Sequence, residues 1–469
     1  MSESLVKVRF APSPTGELHL GGARTALFNW LFAKHNKGDF FIRIEDTDTL
    51  RSKEKYTKQI LDSLSWLGFD WNDPIIYQSE RNSQYKFYIK KLLDSNQVYR
   101  CFCSKSDLEV SRNAGDYKYS GKCRSLSEEI VKQKLNQGIS FTYRIYIPDG
   151  KTNYNDLVYG EITVDHNEID DFIIVRSDGS PTYNFTVVID DHDMSITHVI
   201  RGEDHIANTP KQIILYKSLG FDIPTFAHLP LILGPDKKRL SKRHGAPGIQ
   251  HYRDQGYFPI VLINHLALLG WNMGNDEEIF NINKLIENFD LSDIHKKGAI
   301  WDKKKLQWIS SQHLKNMPTD QIIDSIRSIN EGWGKGHEIS YLITIVEMLK
   351  IRAKSLNDFI LQSASFFNDP SKYDKVGLSK CWKDDSTNII IKSLLAQLNT
   401  IDDWRKEEID STLKSFADQN KLGMGKITMP IRMAILGSLS GPSVIEILAL
   451  IGKEVTIHRL NKALEKLPI

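Results

Sequence analysis

Residues 12–22, PSPTGELHLGG, are the first stretch of this chain whose residue types suit chemistry. A turn rich in proline and glycine ends there, and an apolar pattern with helical spacing begins at Gly21. At such a junction backbone amides and the positive end of a helix dipole favour phosphate, and Gly21 and Gly22 permit a close approach. His19 adds a donor for a phosphate oxygen. A solvated loop histidine is the alternative for His19 taken alone, but its position beside the two glycines favours a phosphate site.

Three charged residues, Arg9, Glu45 and Arg201, lie at the ends of predicted strands. Ligands of open parallel sheets bind beyond the carboxyl ends of the strands, so we expect the three side chains to share one crevice. Arginine binds a carboxylate through a planar fork, and a glutamate side chain accepts from an ammonium. The set suits a zwitterion with an additional carboxylate, a description that free glutamate fits. For any one of the three alone, an ordinary strand-end charge facing water is the better interpretation.

A basic loop, DKKRLSKRHG at residues 236–245, lies far downstream. It places Lys242 and its neighbours where they would close over a triphosphate. Such a run is also typical of solvated surface, and its spacing alone does not exclude that. In combination with the phosphate-binding turn, the loop predicts an enzyme that activates a small acid by adenylyl transfer from ATP.

Alternating strands and helices must position these residues. Period-2 alternation predicts a strand at Val6–Phe10, helical spacing predicts a helix at Gly21–Asn36, and Asp39–Ile44 is a second strand. Further along, Thr197–Ile200 is a predicted strand and Thr209–Leu219 a helix. This order indicates an α/β protein with a doubly wound sheet.

The sequence pattern changes in two later regions of the chain. Between about 98 and 193, short segments rich in tyrosine, aspartate and glycine predict an inserted α/β subdomain. Beyond His244, apolar residues recur three and four apart, for example at 322–329, 340–349, 389–398 and 444–450, so the C-terminal third is predicted to be all-helical.

Composition narrows the class of protein. At 469 residues the chain is too long for one core, and several domains are expected. The net charge of +2 gives no global attraction to a polyanion, so a nucleic-acid surface would need local asymmetry. Four cysteines fit a reducing cytoplasm better than a secreted disulfide scaffold. No stretch reaches the ~18 to 20 apolar residues of a membrane helix, which predicts a soluble cytoplasmic protein without a removed leader.

Taken together, the motifs resemble those of bacterial glutamyl-tRNA synthetases, which are class I aminoacyl-tRNA synthetases. PSPTGELHLGG is similar to the extended HIGH signature, with residues 19–22 in the four motif positions, and RLSKR at 239–243 is similar to the KMSKS loop. The likeness spans nearly the whole chain, through FIRIEDTD at 41–48, SPTYNFTVVIDDHDM at 180–194, THVIRGEDH at 197–205, NHLALLGW at 264–271, KLQWI at 305–309 and MPIRMAILGSLSGP at 429–442.

The resemblance implies a role for each matching residue. Glutamate would be held by Arg9, Ala11, Ser13, Glu45, Tyr183 and Arg201, with Tyr183 and Arg201 at its side-chain carboxylate. ATP would be contacted by His19, Gly21, Gly22, His205, Arg239 and Lys242, with His19 and Lys242 as the catalytic residues. Two positions depart from the family pattern. Arg239 replaces the first lysine of the KMSKS motif, and Gly22 replaces the last histidine of HIGH, as in the glutamyl subgroup.

The resemblance also implies an architecture and partners. A Rossmann-like catalytic domain, 1–97 and 194–244, would carry an inserted acceptor-end-binding subdomain at 98–193. A helical stem-contact domain at 245–320 and a helical anticodon-binding domain at 321–469 would follow. The substrates would be glutamate, ATP with Mg²⁺ and tRNA(Glu), and a monomer is expected. Left open are an enzyme that charges tRNA(Gln) as well or instead, for a following amidotransferase, and a non-catalytic RNA-binding relative.

Three cysteines form a separate cluster in the sequence. Cys101, Cys103 and Cys123, with Tyr119, have a spacing that suits a tetrahedral zinc site. Some related synthetases and their truncated paralogues bind zinc at this place and others have lost it, and the histidine present in some members is Ser125 here. Structural zinc and three reduced thiols are both left open.

Overall fold

In the computed structural model, the structure describes residues 5–48, 51–104, 106–107, 119–240 and 248–467. The chain divides into two compact units. The first comprises Met1–Asp254 and Phe258–Ile309, and the second comprises Gln255–Tyr257 and Ser310–Ile469. The first unit mixes strands and helices, whereas the second is helical. The finer division at residues 98, 194, 245 and 321 stays a prediction.

Parallel strands form the centre of the first unit. The strands are β1 Lys7–Phe10, β2 Asp39–Ile44, β3 Asn72–Tyr77, β4 Val98–Cys101, β5 Thr142–Ile145, β6 Lys151–Asp156, β7 Gly160–Asp165, β8 Ile173–Val175, β9 His198–Gly202, β10 Thr225–Leu229, β11 Ile232–Leu233 and β12 Ala299–Ile300. β1 pairs in parallel with β2, β2 with β3, and β9 with β10. Hydrogen bonds between Lys7 and Thr197 join the start of β1 to the chain entering β9. This is the doubly wound arrangement that the sequence predicts.

The helices follow the strands in the first unit and dominate the second. They are α1 Leu20–His35, α2 Glu54–Trp66, α3 Asn82–Asp94, α4 Glu128–Asn136, α5 Tyr183–Asp193, α6 Thr209–Leu219, α7 Ile249–Asp254, α8 Pro259–Ala267, α9 Ile282–Asn288, α10 Lys303–Asn316, α11 Thr319–Ile329, α12 Ile339–Lys350, α13 Leu356–Phe367, α14 Lys375–Cys381, α15 Asp385–Asn399, α16 Lys406–Gln419, α17 Gly425–Leu436, α18 Val444–Ile451 and α19 Lys453–Lys466. Each of the four C-terminal segments with apolar spacing lies in one of these helices.

Helix α1 is the central helix of the first unit. Its apolar residues face all sides, and Leu27, Phe28 and Leu31 are fully buried because the helix packs against β1 and β9 on one side and α8 and α9 on the other. After α1 the chain turns sharply into β2. A Cβ on Gly38 would come within 2.2 Å of the Val6 carbonyl oxygen, so only glycine fits there.

The segment predicted as an insertion contributes to two sheets. β4, β5 and β8 form an antiparallel sheet of their own. In contrast, β6 and β7 form a hairpin whose first strand pairs in parallel with β10, with Asp156 opposite Phe226. The hairpin therefore extends the sheet that carries the strand ends of interest.

The second unit buries one face of each amphipathic helix. In α11, for example, Ile322, Ile323 and Ile326 are buried against α12 and α13, while Asp324 and Arg327 are exposed. None of the described helices is both long and apolar enough to cross a membrane.

Candidate active site

A cavity of about 780 Å³ lies beyond the carboxyl ends of β1, β2 and β9. All the residues predicted to bind glutamate or ATP line it, apart from Lys242, which lies outside the described residues. These are Arg9, Ala11, Ser13, His19, Gly21, Gly22, Glu45, Tyr183, Arg201, His205 and Arg239. The parallel strands thus bring distant parts of the sequence to one cavity, as expected for a sheet of this kind.

His19 is the cap of α1. Its Nδ1 accepts from the Gly22 amide at 3.0 Å, and the first helical backbone bond runs from the Ala23 amide to its carbonyl oxygen at 2.9 Å. A neutral imidazole that accepts at Nδ1 carries its proton on Nε2, which makes Nε2–H the donor of the ring. A Cβ on Gly21 would lie 3.2 Å from the ring, so glycine gives the imidazole its space.

The turn before His19 is held by backbone hydrogen bonds. The Thr15 amide donates to the Ser13 carbonyl, and the Glu45 amide donates to the Pro12 carbonyl at 3.0 Å. The second bond ties the end of β2 to the turn that follows β1. It places Glu45 beside the predicted glutamate-binding turn.

Arg9 belongs to a buried network of alternating charges. Both Asp191 oxygens accept from Arg9, at 2.9 and 3.3 Å, and Asp191 also accepts from Arg43 at 2.6 Å. Arg43 in turn donates to Glu45 at 3.2 Å. Burial raises the pKa of Glu45, and the neighbouring Arg43 and Arg9 charges offset only part of this effect. A bound ammonium would add the positive charge that favours the ionised carboxylate.

A second aspartate supports this network from the adjacent position of α5. Asp190 is fully buried and accepts from Gln78 at 2.7 Å, from Arg81 at 2.6 Å and from the Tyr85 hydroxyl at 3.0 Å. These contacts fix α5, which also carries Tyr183 at its first position.

Arg201 has a different environment. It is buried, and among the described residues none of its hydrogen bonds goes to a carboxylate. It donates to His228, Thr209 and Gln212, and its NH1 has no acceptor among the described residues. Burial and the Arg9 charge lower the pKa of Arg201, and the charges of Tyr183 and Asp191 offset only part of this effect.

Tyr183 and His205 form a pair at the cavity wall. The Tyr183 hydroxyl lies 3.2 Å from His205 Nδ1, and Asn208 Nδ2 lies 3.3 Å from the same nitrogen. Burial, followed by the Arg201 charge, lowers the pKa of His205 to about 4. The imidazole is therefore neutral near pH 7.

Arg239 reaches the cavity from the basic loop. A short hairpin holds it, with the Leu240 amide donating to the Ile232 carbonyl at 2.8 Å. The guanidinium lies 3.0 Å from Asp204, and both side chains are largely exposed. The predicted catalytic Lys242 follows in the part of the loop outside the described residues.

The cysteine cluster lies away from the cavity, at the end of β4. The sulfur atoms of Cys101, Cys103 and Cys123 all lie within 4.8 Å of one another, with Cys103 and Cys123 3.6 Å apart. The Tyr119 hydroxyl lies 3.2 Å from the Cys101 sulfur and 4.0 Å from that of Cys103. Burial raises the pKa of Cys103 to about 12, and the neighbouring thiols add to this effect. A bound cation would therefore be needed for all three thiols to be ionised at once.

Sequence reasoning did not single out four buried charged or titratable residues around the cavity: Arg43, Asp191, Asp156 and His228. One signal was available, because Asp191 and Arg43 are charged residues within otherwise apolar stretches, VVIDD and FFIRI. Asp156 and His228 offered no such signal. Their importance depends on the pairing of β6 with β10.

Comparison with known proteins identifies the family. The model of the class I tRNA synthetase (E and Q) catalytic domain matches residues 5–308, and that of an anticodon binding domain matches residues 313–464. The chain belongs to the class I tRNA synthetases of this E and Q family. The resemblance drawn from the motifs is thereby confirmed, as is the predicted fold class. Synthetases of this class use ATP and Mg²⁺ in general.

Relatives that match this synthetase over nearly its whole length are named glutamate–tRNA ligases. The chain is 41% identical to glutamate–tRNA ligase 2 of Thermoanaerobacter pseudethanolicus, over 99% of this chain and 98% of the relative. It is 40% identical to glutamate–tRNA ligase 1 of Caldanaerobacter subterraneus, with the same coverage. A crystal structure of a glutamate tRNA ligase from Elizabethkingia meningosepticum in complex with its amino acid superposes with a TM-score of 0.88, at 36% identity, covering 99% of this chain and all of the other.

Proposed function

We propose that this synthetase is a glutamate–tRNA ligase, which attaches L-glutamate to tRNA(Glu) through a glutamyl-adenylate. The full-length similarity to glutamate–tRNA ligases supports this activity. The single observation in the site that favours glutamate as the amino acid is Arg201, whose buried NH1 has no acceptor among the described residues. A side-chain carboxylate would supply both the acceptor and the missing negative charge.

The site suggests how glutamate and glutamine are distinguished. In the proposed complex, Glu45 accepts from the ammonium of the amino acid, while Arg201 and Tyr183 receive its side-chain carboxylate. Glutamine would leave the Arg201 charge uncompensated. A polar site denied its partner rejects an analogue by about 10⁴- to 10⁵-fold, so no editing step is required.

Activation requires positioning and charge stabilisation more than covalent chemistry. An oxygen of the glutamate α-carboxylate attacks the α-phosphorus of ATP, and the bond to the bridging oxygen of the β-phosphate breaks to release pyrophosphate. We assign the His19 Nε2–H as a donor to a phosphate oxygen and Lys242 as the cation for the leaving pyrophosphate. A hydroxyl of the terminal tRNA ribose then attacks the carbonyl carbon of the adenylate, and AMP leaves.

The helical unit is the proposed anticodon-binding part, because residues 313–464 match an anticodon binding domain. The proposal takes tRNA(Glu) as the main acceptor. An enzyme that also charges tRNA(Gln) would differ in its anticodon contacts rather than in the catalytic cavity. We further propose that the enzyme acts as a monomer in the cytoplasm.

We propose Zn²⁺ as the ion for the cysteine cluster. Tetrahedral zinc with Zn–S bonds of about 2.3 Å separates its sulfur ligands by roughly 3.8 Å, close to the 3.6 Å between Cys103 and Cys123. Cys101 would be the third thiolate and Tyr119 the fourth ligand. Such an ion would tie the end of β4 to the chain near residue 123 and take no part in the reaction. Metal analysis of the protein before and after chelator treatment tests this, and metal-free protein with an unchanged melting temperature would contradict it.

Aminoacylation with purified tRNAs tests the proposed activity. Glutamate and glutamine are supplied separately with tRNA(Glu) and tRNA(Gln). We expect charging of tRNA(Glu) with glutamate and no charging with glutamine. Charging with glutamine, or no charging at all, would contradict the proposal, while glutamate on tRNA(Gln) would identify a non-discriminating enzyme.

Pyrophosphate exchange in the presence of tRNA tests the role of Lys242. Lys242→Ala should lower the exchange rate by ~10²- to 10³-fold, the loss typical of one preorganised donor at a developing charge. Lys238→Ala is the matched control, because Lys238 is an exposed residue of the same loop that does not line the cavity. Equal rates for the two variants would remove Lys242 from the mechanism.

A further inference from the structure

Three of the five guanidinium N–H groups of Arg201 are used by neutral acceptors. Nε donates to His228 Nε2 at 3.2 Å, and NH2 donates to Thr209 Oγ1 and Gln212 Oε1, each at 2.8 Å. The remaining two N–H groups are on NH1, which is buried and has no acceptor among the described residues. The orientation of this donor pair is therefore set by the three other bonds.

His228 connects Arg201 to a buried carboxylate. Its Nδ1 lies 2.6 Å from Asp156 Oδ2, and its Nε2 faces Arg201 Nε. An ionised carboxylate only accepts and a guanidinium only donates, so the imidazole must carry its proton on Nδ1 and accept at Nε2. Burial lowers the pKa of His228 and the hydrogen bond to Asp156 offsets only part of that effect, which agrees with a neutral ring.

Asp156 is itself anchored by the backbone. Its Oδ1 accepts from the amides of Val158 and Tyr159 at 3.0 and 2.9 Å, and its side chain is fully buried. Burial raises the pKa of Asp156, but the hydrogen bonds from His228 and these amides lower it overall, so the group is ionised. Since Asp156 ends β6, the pairing of β6 with β10 brings this anchor beside His228.

We propose that Asp156 and His228 are positioning residues that determine amino-acid specificity, because they hold the Arg201 guanidinium where NH1 meets the side-chain carboxylate of glutamate. This inference rests on the proposed function, in which Arg201 faces that carboxylate. A carboxylate accepts from both NH1 hydrogens, whereas the glutamine amide presents an NH2 group that also donates. A fixed guanidinium cannot turn away from that NH2 group, and a loosened one can. Fixation therefore increases the preference for glutamate.

Asp156→Asn is the decisive variant. The backbone amides require an oxygen at the Oδ1 position, so the new NH2 group takes the place of Oδ2 and faces His228 Nδ1. The ring must then carry its proton on Nε2. There the Nε2–H and the Arg201 Nε–H are two donors facing each other, and the hydrogen bond between them is lost. We expect the KM for glutamate to rise by about 10- to 100-fold. This range is taken by analogy from metal sites, where it follows the loss of a carboxylate that orients a metal-binding histidine. The ratio of kcat/KM for glutamate to that for glutamine should fall and the melting temperature should decrease, while kcat and the KM for ATP stay near wild type.

Two further variants separate positioning from folding. Asp165→Asn, on the neighbouring strand β7, is the control, because the Asp165 carboxylate faces the ammonium of exposed Lys151 at 3.9 Å rather than a buried histidine. His228→Gln keeps a donor for Asp156 and an acceptor for Arg201, and it should retain more specificity than His228→Phe. An unchanged glutamate KM in Asp156→Asn would overturn the inference. So would a rise in the KM for ATP equal to that for glutamate, which indicates a purely structural role.

The tautomer of His228 can be measured without any charging assay. The nitrogen-15 spectrum of the labelled imidazole, assigned by comparison with His228→Gln, should show a proton on Nδ1. A proton on Nε2 would overturn the inference by itself. Failure of the wild-type protein to charge any tRNA with glutamate would instead contradict the proposed function, so the two failures are distinguishable.

Discussion

Arg9 and Arg201 lie on neighbouring strands and line the same cavity, yet only the charge of Arg9 is compensated by a hydrogen-bonded carboxylate among the described residues. Arg9 donates to both oxygens of Asp191, so an internal anion compensates its charge. Arg201 meets only neutral acceptors, and its NH1 has none among the described residues. The fold neutralises one guanidinium internally and leaves the other without a hydrogen-bonded anion among the described residues.

This difference teaches where the ligand's charge is recognised. An isolated buried charge is costly unless it is paired, and we therefore expect an anionic ligand to pair with Arg201. On this interpretation Arg9 is chiefly oriented by the scaffold, and Arg201 is the residue whose partner is the substrate. The following predictions test the comparison in order of decreasing effect.

The largest effect is expected from removing the internal anion. Asp191→Asn leaves the buried Arg9 and Arg43 without their shared carboxylate, and it should lower the free energy of unfolding of the first unit by about 3 to 5 kcal/mol. Urea unfolding followed by circular dichroism measures this. Asp193→Asn, at the more exposed end of the same helix, is the matched control and should cost less. Equal losses would show that Arg9 does not depend on Asp191.

A large effect on catalysis, but not on stability, is expected at the other arginine. Arg201→Gln should lower kcat/KM for glutamate by ~10²- to 10³-fold, because loss of one partner of a buried charge pair costs about 2 to 5 kcal/mol of binding. Its urea midpoint should not fall, since the variant removes an uncompensated charge. Arg9→Gln is the counterpart and should lower the midpoint. If Arg201→Gln proves the less stable of the two, the comparison fails.

A smaller effect should come from the buried histidine His265. Both ring nitrogens of His265 lack hydrogen bonds among the described residues, and burial lowers its pKa to about 4. The unfolded chain takes up a proton near pH 6.5 that the folded chain does not, so stability is complete above about pH 6.5 and falls as the pH drops towards 4. His265→Phe should reduce this slope by about 1 kcal/mol per pH unit. Exposed His251→Gln should leave the slope unchanged, and an unchanged slope in His265→Phe would contradict the assignment.

The smallest effect is expected at the exposed arginine of the cavity. Asp204→Asn removes the ion pair with Arg239. The side chain of Asp204 is 38% exposed and that of Arg239 is 62% exposed. Solvent screens such a pair, so the loss should be at most about 1 kcal/mol. The urea midpoint and the KM for glutamate should both stay near wild type. A loss comparable to that of Asp191→Asn would mean that exposure does not explain the difference between these arginines.

Much of the catalytic cavity could be predicted from local sequence patterns. The alternation at residues 6–10 and the glycines after His19 mark a strand, a turn and a helix, and the confirmed fold class follows from that order. Parallel strands all present their carboxyl ends at one edge, so Arg9, Glu45 and Arg201 could be expected at one cavity before any coordinates. Their roles toward glutamate remain predictions.

Other features of the cavity could not be predicted in this way. Whether a buried arginine is compensated depends on atoms 182 residues away in the case of Arg9 and Asp191. The predicted insertion also gave no indication that its hairpin joins the main sheet and delivers Asp156 to His228. No periodicity within either segment records that pairing.

The sequence by itself determined the fold class, the family and the residue types that reach the cavity, because strand and helix periods and the glycine-rich turn are local properties of the chain. Only the tertiary structure decided which guanidinium is neutralised, which tautomer His228 adopts, and which donor of Arg201 lacks an acceptor among the described residues. These depend on hydrogen bonds between distant segments, whose geometry exists only after the strands have paired.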